Sequence, residues 1–149
     1  MVPELKKMKT RDDIELHLEV IENGSPVWMI VSHGVGEHSG RHSYFYKLFS
    51  QYFNICIYDL RGHGKSEGKR AYIESFNEYV MDLEEVKSYL IKEYSLQRFV
   101  LFGHSMGGLL VSSYMQNSCK ESSYPEKVFL SNPPVSAVGA LGKLFDLMP

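Results

Sequence analysis

Cysteine, long apolar runs and a dominant charge are all scarce in this 149-residue chain. Its two cysteines, Cys56 inside an apolar run and Cys119 after a helical stretch, do not make the spaced array of a disulfide framework, so a reducing, cytoplasmic compartment is expected. The longest uninterrupted aliphatic and aromatic run, Val27 to Val31, is far too short to cross a bilayer. Met1 to Lys7 likewise lacks an apolar region of signal-peptide length, so any membrane contact is expected to be peripheral. Sixteen Lys and Arg stand against 18 Asp and Glu, and the resulting net charge of -2 supplies no basic field for nucleic acid or an anionic surface. No internal repeat, low-complexity segment or linker interrupts the chain.

What is present is the composition of an ordinary globular domain, 44% hydrophobic and 23% charged, long enough to bury a core. Residues 13–21 alternate polar and apolar and predict a strand with one wet face, which places His17 in solvent. Residues 27–32 and 54–59 are apolar on both faces, as in a parallel sheet covered by helices on each side. Between them, Tyr44, Phe45, Leu48, Phe49 and Tyr52 recur at helical spacing and predict an amphipathic helix over 41–53. Ser75 and Glu78 have the spacing of a capping box, opening a helix whose apolar face carries Phe76, Tyr79, Val80, Leu83, Val86 and Leu90. Strands at 98–103 and 127–132 flank a further helix to about Asn117. After Pro133-Pro134, Val135, Val138, Leu141, Leu144, Phe145 and Met148 share one helical face. Strands alternating with helices predict an α/β fold with a mostly parallel sheet, whose working site lies at the carboxyl ends of its strands.

Three loops rich in Gly, His and Ser leave those ends, at 33–40, 60–68 and 103–108. The third, Gly103-His104-Ser105-Met106-Gly107, joins a strand to a helix. In that context Gly-x-Ser-x-Gly describes a nucleophile elbow, with the serine on a strained turn and its hydroxyl exposed. A serine needs a neighbouring base and preorganised donors for the oxyanion it generates. The Met106 N–H, first in the helix, supplies one donor, and the N–H of Val35, on the loop after the adjacent strand, supplies the second.

Taken together, His33-Gly34-Val35-Gly36-Glu37-His38-Ser39-Gly40-Arg41, Asp59-Leu60-Arg61-Gly62-His63-Gly64-Lys65-Ser66 and the elbow resemble the successive signatures of the α/β-hydrolase fold. More narrowly, they resemble its monoacylglycerol lipase and lysophospholipase branch. The resemblance implies an ester hydrolase with Ser105 as catalytic nucleophile, Val35 and Met106 at the oxyanion hole, and His33, Gly34, Gly103, His104 and Gly107 supporting elbow and loop. It implies a lipid or small ester as substrate, no cofactor and no metal, and a structural role for the turn from Asp59 to Ser66. It covers about the first half of the family's length. Residues 1–132 correspond to the N-terminal part of the core, and 133–149 to the start of a cap. The fold is thus expected to stop before its final strands, leaving an unpaired edge prone to self-association.

In this fold the triad runs Ser, acid, His, yet no histidine follows His104. The acid and base are expected beyond residue 149, and the alternative is a catalytically silent chain that binds at most. Two other patterns carry less. Gly64-Lys65-Ser66 ends like a phosphate-binding loop, but Asp59 occupies the position that motif reserves for glycine. His38 and His42 are four apart, but Gly40 separates them and no zinc-binding pattern surrounds them.

Overall fold

The computed structural model describes residues 2–134. Six strands form one sheet: β1 (Glu4–Lys9), β2 (Glu15–Ile21), β3 (Val27–Ser32), β4 (Asn54–Tyr58), β5 (Arg98–His104) and β6 (Lys127–Ser131). Their order is β1-β2-β4-β3-β5-β6. The pairs β1/β2 and β2/β4 are antiparallel, whereas β4/β3, β3/β5 and β5/β6 are parallel. Among the described residues there are three α-helices: α1 (Tyr44–Phe49), α2 (Asn77–Tyr94) and α3 (Met106–Asn117).

Because β3 and β4 lie mid-sheet with helices on both faces, they are apolar except for Ser32 and Asn54 at their ends and almost wholly buried. On one face Leu83, Val86 and Leu90 of α2 and Leu110, Val111 and Tyr114 of α3 pack with Leu18, Ile30, Cys56 and Leu101. On the other, Phe45 and Tyr46 of α1 meet Met29, Val31, Ile57 and Val100. Two helices of 18 and 12 residues therefore cover one face, and a six-residue helix the other.

Several sequence expectations are corrected. Strand β1 was not foreseen. Its Lys-rich edge offers no apolar alternation, and its partner β2 is what holds it. The helix over 41–53 shortens to α1, preceded by a 3-10 turn at Ser39–His42. Its buried pair is Phe45 and Tyr46, while Tyr44, Leu48 and Tyr52 face solvent. Strand β2 has no wet face: His17 and Glu19 are buried, because Ser39 Oγ and Tyr46 Oη both donate to the Glu19 carboxylate, at 2.8 and 2.7 Å, and roof that side. The capping box does not close. Ser75 Oγ accepts from the Asn77 N–H at 3.3 Å, and α2 begins one residue after Phe76. The apolar face from Val135 to Met148, and with it the expected cap, lies outside the described residues.

Buried charge ties α2 to the sheet. Arg61 donates to Asp82 through Nε at 2.7 Å and through a second nitrogen at 2.6 Å, and its other arm reaches Asp12 at 2.7 Å. With Asp82 fully buried, the planar guanidinium supplies the fork that such a carboxylate needs.

Candidate active site

Strand β5 ends at His104, α3 starts at Met106, and Ser105 between them has φ 51° and ψ -121°. A non-glycine residue in that region carries roughly 1–3 kcal/mol of backbone strain, and the turn is sharp enough to need glycines on either side. A Cβ on Gly103 would lie 2.3 Å from the Gly107 carbonyl oxygen, and one on Gly107 would lie 2.1 Å from the carbonyl oxygen of Ser32. The neighbouring strand secures the turn from the other side: the Ser105 N–H donates to the Ser131 carbonyl at 2.8 Å, and His104 Nδ1 lies 3.1 Å from Ser131 Oγ. His104 thus turns towards β6 and not towards the serine hydroxyl.

The loop after β3 closes over the elbow. A Cβ on Gly34 would lie 3.1 Å from Ser105 Cβ, so this backbone runs against the serine. The Gly34 N–H donates to Glu37 Oε2 at 2.9 Å, and the Glu37 N–H returns to the Gly34 carbonyl at 3.3 Å. Gly36 has the positive φ, 71°, that the third position of a type II turn requires. With Gly34 occupied, Val35 presents the next N–H. Among the described residues, neither the Val35 nor the Met106 N–H has a hydrogen-bond acceptor, and Met106 opens α3, where the helix dipole adds to its donor strength.

His33 is the latch of this loop. It is completely buried; its Nε2 accepts from the Leu60 N–H at 3.0 Å, so Nδ1 carries the proton and donates to the Gly34 carbonyl at 2.8 Å. Burial pulls its pKa down to about 4, leaving a neutral imidazole whose two nitrogens are both engaged. Beside it, His42 Nε2 lies 3.0 Å from Glu37 Oε2, and the His42 and His104 rings sit 5.9 Å apart. Burial raises the Glu37 pKa, but the Gly34 N–H and the His42 ring outweigh it and hold the carboxyl below its ordinary value.

Asp59 accepts the Ser39 N–H at 2.6 Å and the Lys65 N–H at 2.8 Å, binding two of the three loops together. Ser66 Oγ donates to the Asp59 carbonyl at 2.6 Å and accepts the His17 N–H at 2.9 Å. Those bonds leave Gly64-Lys65-Ser66 as packing and not as a phosphate cradle. Among the described residues no group of three or more His, Cys, Asp and Glu could hold a metal ion. No hydrogen bond joins the Ser105 hydroxyl to a histidine among them either. The structure thus brings Ser105, Gly34, Val35, Met106, Gly103 and Gly107 to one place, with His33 and His104 supporting it. Sequence reading missed Glu37 and His42; their signal was an acid and a histidine five apart in a loop beside the elbow.

A strained serine thus stands between a sheet and a helix, beside a loop whose Gly34 runs against it. Residues 27–145 match the serine aminopeptidase S33 family. The chain belongs to that family. Within its α/β-hydrolases, the chain lies on the monoacylglycerol lipase-like branch. It is 32% identical over 111 residues to a monoacylglycerol lipase of Mycolicibacterium smegmatis, covering 73% of this chain and 38% of that protein. It is 38% identical over 89 residues to human monoglyceride lipase, covering 58% of this chain and 29% of the relative. Among solved structures, an esterase from Pyrococcus furiosus superposes with a TM-score of 0.66 at 27% identity, covering 78% of this chain and 48% of that one. This α/β-hydrolase chain therefore spans less than half the length of these relatives. Among its described residues no helix is long and apolar enough to cross a membrane.

Proposed function

We propose that the chain carries the nucleophile half of a carboxylic ester hydrolase acting on monoacylglycerols or lysophospholipids. Ser105 attacks the ester carbonyl, the Val35 and Met106 N–H groups receive the oxyanion, and an acyl-enzyme forms as the alcohol leaves. The observation that carries this reading is the strained φ and ψ of Ser105 beside two N–H donors with no acceptor among the described residues. The similarity to lipases favours esters over the aminopeptidase substrates that the family's description suggests.

The general base is assigned to a residue outside this sequence, because His33 and His104 are committed to structural bonds and His42 is paired with Glu37. That assignment makes a direct test possible. Imidazole added in solution should stand in for the missing base and raise hydrolysis of 4-nitrophenyl butyrate by the wild-type chain above that of Ser105→Ala. Identical rates across the imidazole range would remove Ser105 from the mechanism. A wild-type chain that is fast without imidazole would instead show that it contains its own base.

A second reading has its own support, since no histidine engages Ser105 among the described residues. In it, the 149-residue chain alone is catalytically silent and binds esters without turning them over. Turnover above Ser105→Ala in the absence of imidazole would exclude it.

A further inference from the structure

One carboxylate shapes the loop between β3 and α1. Gly34 and Gly36 give this backbone little conformational preference of its own, so hydrogen bonds must choose the direction of each peptide. The peptide joining Gly34 to Val35 is fixed through its carbonyl, which accepts from His33 Nδ1 at 2.8 Å and from the Glu37 N–H at 3.3 Å. In a trans peptide the N–H points opposite to the carbonyl, so these two bonds aim the Val35 N–H away from both donors and leave it open. The peptide before it is fixed through its N–H, which donates to Glu37 Oε2 at 2.9 Å. Glu37 thus grips both peptides flanking the Gly34 Cα, one through its backbone and the other through its side chain.

From this we infer that Glu37 is a positioning residue for the oxyanion hole: its carboxylate holds the Gly34 N–H and so fixes the direction of the Val35 N–H. The role given to that N–H rests on the proposed ester reading; the grip on the loop does not. Gly34 is buried, so without the carboxylate its N–H would have no acceptor. Rotation of that peptide towards another acceptor would drag the Val35 N–H out of line. The carboxylate is itself held in place. His42 Nε2 meets the same oxygen at 3.0 Å, and Arg41 Nε stands 3.6 Å from Oε1. Those partners matter because the charge lies near the serine: a Cβ on Gly34 would be 3.1 Å from Glu37 Oε2 and 3.1 Å from Ser105 Cβ. An uncompensated carboxylate there would repel an oxyanion forming on Ser105, whereas the Gly34 N–H, His42 and Arg41 draw its field away.

Amide hydrogen exchange read residue by residue by NMR at neutral pH tests the grip, and imidazole-assisted hydrolysis of 4-nitrophenyl butyrate tests its consequence. The Gly34 amide should be protected in the wild-type chain and exchange about tenfold faster in Glu37→Ala and in Glu37→Asp, whose carboxylate stops one methylene short. Glu37→Gln, whose amide oxygen accepts the same N–H, should keep most of that protection. In the kinetic assay Glu37→Ala should lower kcat about tenfold with KM unchanged, and Glu37→Gln should recover most of the loss. Should Glu37→Ala fail to fold, Glu37→Asp carries both comparisons. Equal Gly34 protection in wild type and Glu37→Ala would overturn the inference. So would a change in KM alone, or a loss of kcat that Glu37→Gln shares in full. A wild-type rate no higher than that of Ser105→Ala would remove the ester reading instead, and Gly34 exchange then decides alone whether Glu37 sets the loop.

Discussion

At Ser105 the backbone stores strain that a smaller residue would release. Glycine adopts φ 51°, ψ -121° freely, so Ser105→Gly should stabilise the fold by about 1 kcal/mol in urea denaturation, whereas Ser105→Ala, which keeps the Cβ, should show no such gain. Gly107 has the opposite sensitivity: a methyl 2.1 Å from the Ser32 carbonyl must push α3 away from the end of β3, and Gly107→Ala should cost about 3 kcal/mol. His33 adds a pH dependence. Its ring is neutral in the fold down to about pH 4, whereas the unfolded chain takes up a proton near the ordinary histidine value of 6.5. Its contribution is therefore fully present above about pH 6.5 and disappears as the pH falls towards 4, an effect worth up to about 3 kcal/mol. Replacing it in His33→Gln, which still accepts the Leu60 N–H but cannot titrate, should flatten the stability profile between pH 7 and 4.5 relative to wild type.

Helices and strands show where sequence patterns were readable and where they were not. Strands β3, β4 and β5 were legible because burial on both faces leaves an uninterrupted apolar run, and the elbow was legible because its glycines are dictated by backbone contact within a pentapeptide. In α1 the apolar residues ran nearly all the way round, so periodicity alone did not choose between Phe45 and Tyr44 as the inward side chain. Burial of His17 and Glu19 was hidden for a related reason: the groups that satisfy Glu19, Ser39 and Tyr46, are remote in sequence. The link from Arg61 to Asp12 and Asp82 was equally unreadable, since each partner looks like a surface charge on its own element. Removing the guanidinium leaves Asp82 buried without a partner, so Arg61→Met should destabilise the fold by about 3–5 kcal/mol, and Arg61→Met/Asp82→Leu by clearly less. Thermal denaturation of the three proteins decides it.

For the molecule as a whole, the layers are uneven. Among the described residues β6 is the last strand of the sheet, and its Val128, Phe129 and Leu130 are 36%, 42% and 44% exposed. Unpaired ladder groups beside half-exposed apolar side chains invite pairing with another chain. Light scattering should show self-association that rises with concentration, and Phe129→Lys should suppress it without loss of helical signal. A monodisperse wild-type chain at high concentration would contradict that expectation.

The bond from the Ser105 N–H to the Ser131 carbonyl has a temporal meaning as well. The strained turn is clamped by a strand that emerges only after α3 has been synthesised, so a nascent chain ending before Lys127 lacks this bond and keeps only the contacts with β3, its loop and α3. The full set of contacts around the strained turn is therefore complete only once β6 has joined the sheet.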